Sequence, residues 1–177
     1  MVRPRASLAP VFVLLSVTAA NAQITREEAL ASVFPGATIR QEQLFLTTAQ
    51  QQQMRARGAD TAPALVARYL AVRDGQPVGR AYVDTHTVRT KRESLLISLD
   101  QSGRVKRVDV TAFLEPREYL ASEAWLRQYR DRALSTDLAV NRAIRPMAGA
   151  TLTTRAVNAA VRRVLALDEV LRGEGGR

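Results

Sequence analysis

The residues best suited to chemistry gather in one run, Ile144-Arg-Pro-Met-Ala-Gly-Ala-Thr-Leu-Thr-Thr-Arg-Ala-Val157. Gly149 and Ala150 let the backbone approach a ligand closely, and the hydroxyls of Thr151, Thr153 and Thr154 follow where an Ala/Val-rich helix begins. A helix N-terminus carries unpaired N–H groups and the positive end of the dipole, which suits a phosphate. The same composition also describes a plain turn closed by a threonine cap, and Gly-Ala-Thr alone does not separate the two. The second candidate is Asp84-Thr-His-Thr87, which holds the single histidine of the chain. Imidazole titrates near neutral pH, so His86 could donate to a ligand ring or relay a proton, or it could be a polar strand-end group capping nearby backbone. Asp84 reads equally as a site residue or a turn residue. Glu115 and Tyr119, around Pro116, read as a structural loop. Trp125 is spaced with Leu126 and Tyr129 as a core residue, and the Arg162-Arg163 pair reads as a solvated helix face.

Composition removes several alternatives. With no cysteine among 177 residues, thiol nucleophiles, disulfide frameworks, haem attachment and iron–sulfur clusters drop out. One histidine cannot build a multi-histidine metal centre, so no metal site is expected. The formal charge is +9, and nearly all the basic residues are arginines. Four Phe, four Tyr and one Trp are dispersed without aromatic–basic interleaving, so a nucleic-acid partner is not expected. A solvated arginine surface, part of which holds an acidic cofactor or steers an acidic partner, is the reading that remains.

The first 22 residues read as an export signal. Arg3 and Arg5 form a basic start, residues 8–20 are mostly apolar, and Ala20-Asn21-Ala22 places small residues at the two positions a signal peptidase inspects. A bilayer span needs about 20 apolar residues, and this run is shorter and contains Pro10, so cleavage is favoured over anchoring by residues 8–20. Cleavage would remove two arginines and no acid, leaving +7 on a periplasmic or otherwise extracytoplasmic domain spanning 23–172, with a frayed tail at 173–177.

These candidates need elements to hold them. Thr25-Arg-Glu-Glu predicts a capped helix ended by Pro35-Gly36, residues 37–46 a strand, and Thr47 or Thr48 the cap of a second helix closed by Gly58. Two hairpins follow, one turning at Asp74-Gly75 and the other at Gln101-Ser102-Gly103. Ser122 opens an amphipathic helix. From 151 onward Ala156, Val157, Ala160, Val161, Val164, Leu165 and Leu167 recur at helical spacing, with Thr153 or Thr154 as the expected cap and Arg172-Gly173 as the end. The fold class is therefore α+β: an antiparallel sheet of about four to five strands, packed by N-terminal helices and a long C-terminal helix.

Gly149-Ala150-Thr151-Leu152-Thr153-Thr154, followed by that helix, resembles the flavinylation motif of the FMN-binding domain in the G subunit of Rnf electron-transport complexes and the C subunit of sodium-pumping NADH:quinone reductase. Four ordered blocks resemble small exported FMN-binding domain proteins of proteobacteria: Tyr82-Val-Asp-Thr-His-Thr-Val-Arg89, Glu115-Pro-Arg-Glu-Tyr119, Trp125-Leu-Arg-Gln-Tyr129 and Arg142-Ala-Ile-Arg-Pro-Met-Ala-Gly-Ala-Thr151. The resemblance implies that Thr151 accepts FMN through a phosphoester, installed from FAD by a magnesium-dependent flavin transferase, with Gly149, Ala150, Leu152, Thr153, Thr154, Asp84 and His86 around the cofactor. It also implies electron transfer between a membrane oxidoreductase or quinol-linked donor and an exported redox acceptor, with transient association at a membrane complex. No residues look arranged for a substrate reaction of its own. Arg145 and Ala148 stand where the motif usually has Asp and Ser or Thr, which keeps reversible FMN binding open beside covalent attachment. The competing class is a non-redox binding or assembly module that keeps the fold without flavin.

Overall fold

The computed structural model describes residues 24–174; the export signal expected at 1–22 and the last three residues of the expected tail lie outside them. The order is α1 (Arg26–Val33), β1 (Thr38–Phe45), α2 (Thr48–Ala56), β2 (Leu65–Arg73), β3 (Gln76–Thr87), β4 (Arg92–Leu99), β5 (Val105–Phe113), α3 (Glu123–Leu126) and α4 (Thr151–Glu174). The five strands form one antiparallel meander in sequence order, so the α+β architecture and the long C-terminal helix are as the sequence implies.

Local chemistry accounts for the boundaries. Thr25 and Glu28 form a reciprocal capping box at α1, and Thr47 and Gln50 form another at α2. The helix opened by Ser122 is only Glu123–Leu126 before it tightens into a 3₁₀ turn over Arg127–Tyr129, shorter than the amphipathic pattern suggests. Asp74 and Gly75 both take positive φ, as a tight two-residue hairpin turn demands.

Both faces of the sheet are covered. On one, the α4 stripe of Val157, Ala160, Val161, Val164, Leu165 and Leu167 packs with Leu95, Ile97, Leu99, Val105 and Val108. On the other, Ala29, Leu30, Val33 and Phe34 pack against Tyr69, Ala71, Ala81 and Leu96. Gly79 permits this second contact: a Cβ there would stand 2.4 Å from the Phe34 ring and 2.6 Å from the Leu99 carbonyl oxygen.

Two features of the scaffold position the candidate residues. Asp168, fully buried on α4, accepts from Arg80 Nη2 at 2.7 Å and from the Tyr82 hydroxyl at 2.9 Å, both on β3, and from Arg172 Nε at 2.9 Å. These bonds fix the helix against the middle of the sheet. The sheet also splits: β2 and β3 are paired only as far as Arg68↔Tyr82, so 65–67 on β2 and 83–87 on β3 are not paired with each other. Residues 65–67 stay bonded to β1, and 83–87 stay bonded to β4, so each side of the split is held rigidly by its outer neighbour.

Candidate functional site

The helix begins two residues earlier than the expected caps. Thr151 is the first residue of α4, while Thr153 and Thr154 are helical and buried at 1% and 0% exposure. The reason is a different capping solution: the Met147 N–H donates to Thr154 Oγ1 at 3.0 Å, tying the preceding loop to the helix, and the Thr154 N–H donates to the Ala150 carbonyl at 3.0 Å. At its other end the helix continues through Gly173 to Glu174, so the fraying expected from 173 does not begin there.

Of the three threonines only Thr151 is exposed, and its hydroxyl has no hydrogen-bond partner among the described residues. It opens on a cavity of about 240 Å³ lined by Val88, Arg89, Glu115, Tyr119 and residues 149–153. Gly149 sits at φ 72 with open space where a Cβ would be. The N–H groups of Thr151, Leu152 and Thr153 precede the first intrahelical bond, and the Arg89 side chain adds a cation to the rim. Glu115 works as the structural loop residue expected: its Oε1 accepts the N–H groups of Thr90 and Lys91, each at 2.7 Å, and of Arg89 at 3.2 Å, and these bonds hold its carboxyl below the usual range. Tyr119 lies on the cavity wall. Trp125 is partly buried against the core, edge-on to Tyr129, with Nε1 donating to the Arg145 carbonyl at 2.8 Å.

Asp84 and His86 are placed elsewhere, on the core-side face of β3 with Tyr82, and line a larger cavity of about 530 Å³. They belong to a row of alternating charge that crosses four segments. Asp60 accepts from Arg163 Nη1; Arg163 Nε and Nη2 donate to Asp84 at 2.7 and 2.8 Å; Asp84 Oδ1 meets His86 Nδ1 at 2.9 Å; and His86 Nε2 meets Glu93 Oε2 at 3.0 Å. Burial pushes the imidazole toward neutrality, but the hydrogen bonds to Asp84 and Glu93 outweigh it, and the His86 pKa is pushed up to about 9. Burial likewise opposes ionisation of Asp84, yet its bonds to His86 and Arg163 bring it down to about 2. The ring is therefore an imidazolium at neutral pH with both N–H groups committed. It caps no backbone, and it has no N–H left for a ligand ring; Asp84 is an ion-pair residue rather than a turn residue.

Arg163 corrects the expectation of a solvated Arg162-Arg163 face. It is buried at 8% exposure, and Arg162 donates to the Ser135 and Leu138 carbonyls at 2.7 and 3.1 Å. Sequence reasoning also passed over Asp60 and Glu93. Arg163 left a trace, because it stands three residues after Ala160 and four before Leu167, on the apolar stripe itself. Glu93 required the exact hairpin register that sets it opposite His86.

The two cavities are lined by neighbouring residues. Thr87 lines the larger and Val88 the smaller on the β3 side, while Ala156 and Thr153, one helical turn apart, line them on the α4 side. The smaller cavity, at about 240 Å³, falls below the roughly 300–1,000 Å³ of small-molecule sites, and the larger, at about 530 Å³, lies within that range. An exposed hydroxyl at a helix start, N–H donors ahead of the first intrahelical bond and an arginine among the lining residues are groups that could hold a phosphate. Protein-family models, curated proteins and solved structures give no match to this chain. Among the described residues no cluster of His, Cys, Asp and Glu could hold a metal ion, and no helix is long and apolar enough to cross a membrane.

Proposed function

We propose that this protein is an extracytoplasmic FMN-dependent electron carrier in which Thr151 bears the cofactor through a phosphoester. The observation that carries the reading is the contrast among the three threonines of the motif: Thr153 and Thr154 are buried, and Thr151 alone presents an exposed, unpartnered hydroxyl to a cavity. An alkyl hydroxyl is a weak nucleophile without a base, and among the described residues no side chain is hydrogen-bonded to Thr151 Oγ, in keeping with attachment by a separate flavin transferase. In that reaction Thr151 Oγ displaces AMP from the flavin-side phosphorus of FAD and loses its proton to the transferase. The N–H groups at the start of α4 and Arg89 would hold the phosphate, and bound FMN supplies one- and two-electron transfer. Electrons would come from a membrane oxidoreductase or a quinol-linked donor and leave to another exported redox protein, the half-exposed Leu152 lying beside the site.

The test is intact-mass measurement of protein exported from cells with an active flavin transferase, followed by acid precipitation. Yellow colour that survives precipitation, with an FMN-sized addition lost in Thr151→Ala, is the expected result. Colour released on precipitation would mean reversible binding, and colourless protein under these conditions would favour a non-redox module.

A further inference from the structure

A further cavity, of about 540 Å³, lies between α3 and the loop that leads to α4, and it shares no lining residue with the two described above. Arg132, Arg142 and Arg145 line it together with Trp125 and Gln128, and no carboxylate does. Three like charges around one opening repel one another unless an anion sits among them.

The backbone that carries each arginine is tied down. The Arg132 carbonyl accepts the Val105 N–H at 2.9 Å, which pins it to β5. The Arg145 N–H donates to Gln128 Oε1 at 2.8 Å, and its carbonyl accepts from Trp125 Nε1 at 2.8 Å. The Arg142 N–H donates to the Ala139 carbonyl at 3.1 Å, in a loop anchored by the fully buried Ile144. Asp131 and Asn141, the residues just before Arg132 and Arg142, both take left-handed backbone at φ 62 and 65, a conformation that Asp and Asn tolerate best after glycine.

The three side chains are exposed and little used by the fold. The Arg145 guanidinium makes no hydrogen bond or ion pair among the described residues. Arg132 gives only its Nε, to the Gln128 carbonyl at 3.3 Å. Arg142 meets Asp137 at 3.5 Å with the two side chains 63% and 79% exposed, a pair that an incoming anion displaces at little cost. Open guanidinium forks on a fixed frame suit bidentate recognition of carboxylate or phosphate.

Size and surroundings narrow the ligand. The volume falls within the roughly 300–1,000 Å³ of small-molecule sites, and three cations without an acid among them call for more than one anionic group. A protein partner fits less well. The large exposed apolar residues Phe45, Leu65, Leu114 and Leu152 all lie elsewhere, so apart from the partly buried Trp125 ring the cavity offers no apolar anchor.

We propose that the cavity among Arg132, Arg142 and Arg145 binds a small organic polyanion that carries several carboxylate or phosphate groups. The site is separate from Thr151 and stands independently of the FMN reading.

Trp125 is the single tryptophan of the chain, so its fluorescence reports on this cavity. The exported protein is titrated with citrate and, separately, with tripolyphosphate at about 0.15 M salt, where diffuse attraction is screened beyond about 8 Å. Saturable one-to-one binding is expected, and the tighter of the two probes names carboxylate or phosphate as the head group. Arg145→Gln, whose side chain makes no bond within the fold, is expected to weaken binding at least about tenfold, as loss of one charge-assisted pair implies. Arg40→Gln removes the same charge from an exposed position on β1 and is expected to change binding by less than about twofold. Binding of neither probe, equal losses in the two variants, or a loss in Arg89→Gln with Arg145→Gln unchanged would each overturn the site. Tighter binding of an oligoglutamate peptide than of either probe would overturn the small ligand in favour of an acidic protein partner.

Discussion

His86→Ala offers the sharpest physical test of the charge row. The imidazolium bridges Asp84 and Glu93 with side chains 12%, 10% and 0% exposed, so removing it leaves a fully buried carboxylate whose Oε1 already lacks a partner. Asp84 keeps Arg163, so the damage concentrates on Glu93. Breaking a buried pair by deleting one member costs about 3–5 kcal/mol, and the low end of that range, roughly 3 kcal/mol, applies here because Asp84 keeps its arginine. For a domain of this size each kcal/mol corresponds to about 2–4 °C, so Tm should fall by roughly 10 °C at pH 7. Urea denaturation of the single variants and of His86→Ala/Glu93→Gln completes the cycle. Because Gln is neutral, the double variant should be less destabilised than the sum of the singles by about 2 kcal/mol. A His86→Ala loss below about 0.5 kcal/mol, or additive singles, would refute the row as a stabilising element.

Other outcomes follow from the same geometry. The pH profile of stability should carry the mark of His86: its contribution is complete below its ordinary value near 6.5 and is lost as pH rises through about 9. The full displacement converts to roughly 3 kcal/mol, and solvent screening of the partly exposed ring reduces this to roughly 1–2 kcal/mol between pH 6 and 10, absent in His86→Gln. Asp84 contributes in the opposite sense, present above its ordinary value and lost as pH falls through about 2, so acid titration of Asp84→Asn should show a smaller low-pH loss than the natural chain. Gly79→Ala drives a methyl into the Phe34 ring and the Leu99 carbonyl and should cost about 1–3 kcal/mol in urea denaturation. Arg163→Met should leave Asp84 with His86 alone and raise its carboxyl pKa, visible by carbon-detected NMR titration.

The sequence carried the fold well because its signals were local. Thr25 with Glu28, Thr47 with Gln50, and Asp74-Gly75 each fix a boundary through neighbours a few residues away. The start of α4 was misplaced because Thr154 spends its hydroxyl backward on the Met147 N–H, an interaction that composition does not distinguish from a forward cap. The His86 environment depended on contacts 79 and 103 residues apart along the chain, Arg163 to Asp84 and Arg163 to Asp60, which only the folded packing creates. The split in the sheet is likewise a matter of where pairing stops, since β2 and β3 both remain strand on either side of Arg68 and Tyr82. Thr151 was legible as a residue, while the larger cavity lined by Ala156 and Ala159 was not.

The most direct measurement is the intact mass of the exported chain, beside its Thr151→Ala variant, from cells carrying an active flavin transferase. The account predicts an addition equal to one FMN on the natural chain, localised by peptide mapping to Thr151 and missing from the variant. A natural chain of unmodified mass under those conditions, or an FMN addition that persists in Thr151→Ala, would contradict it.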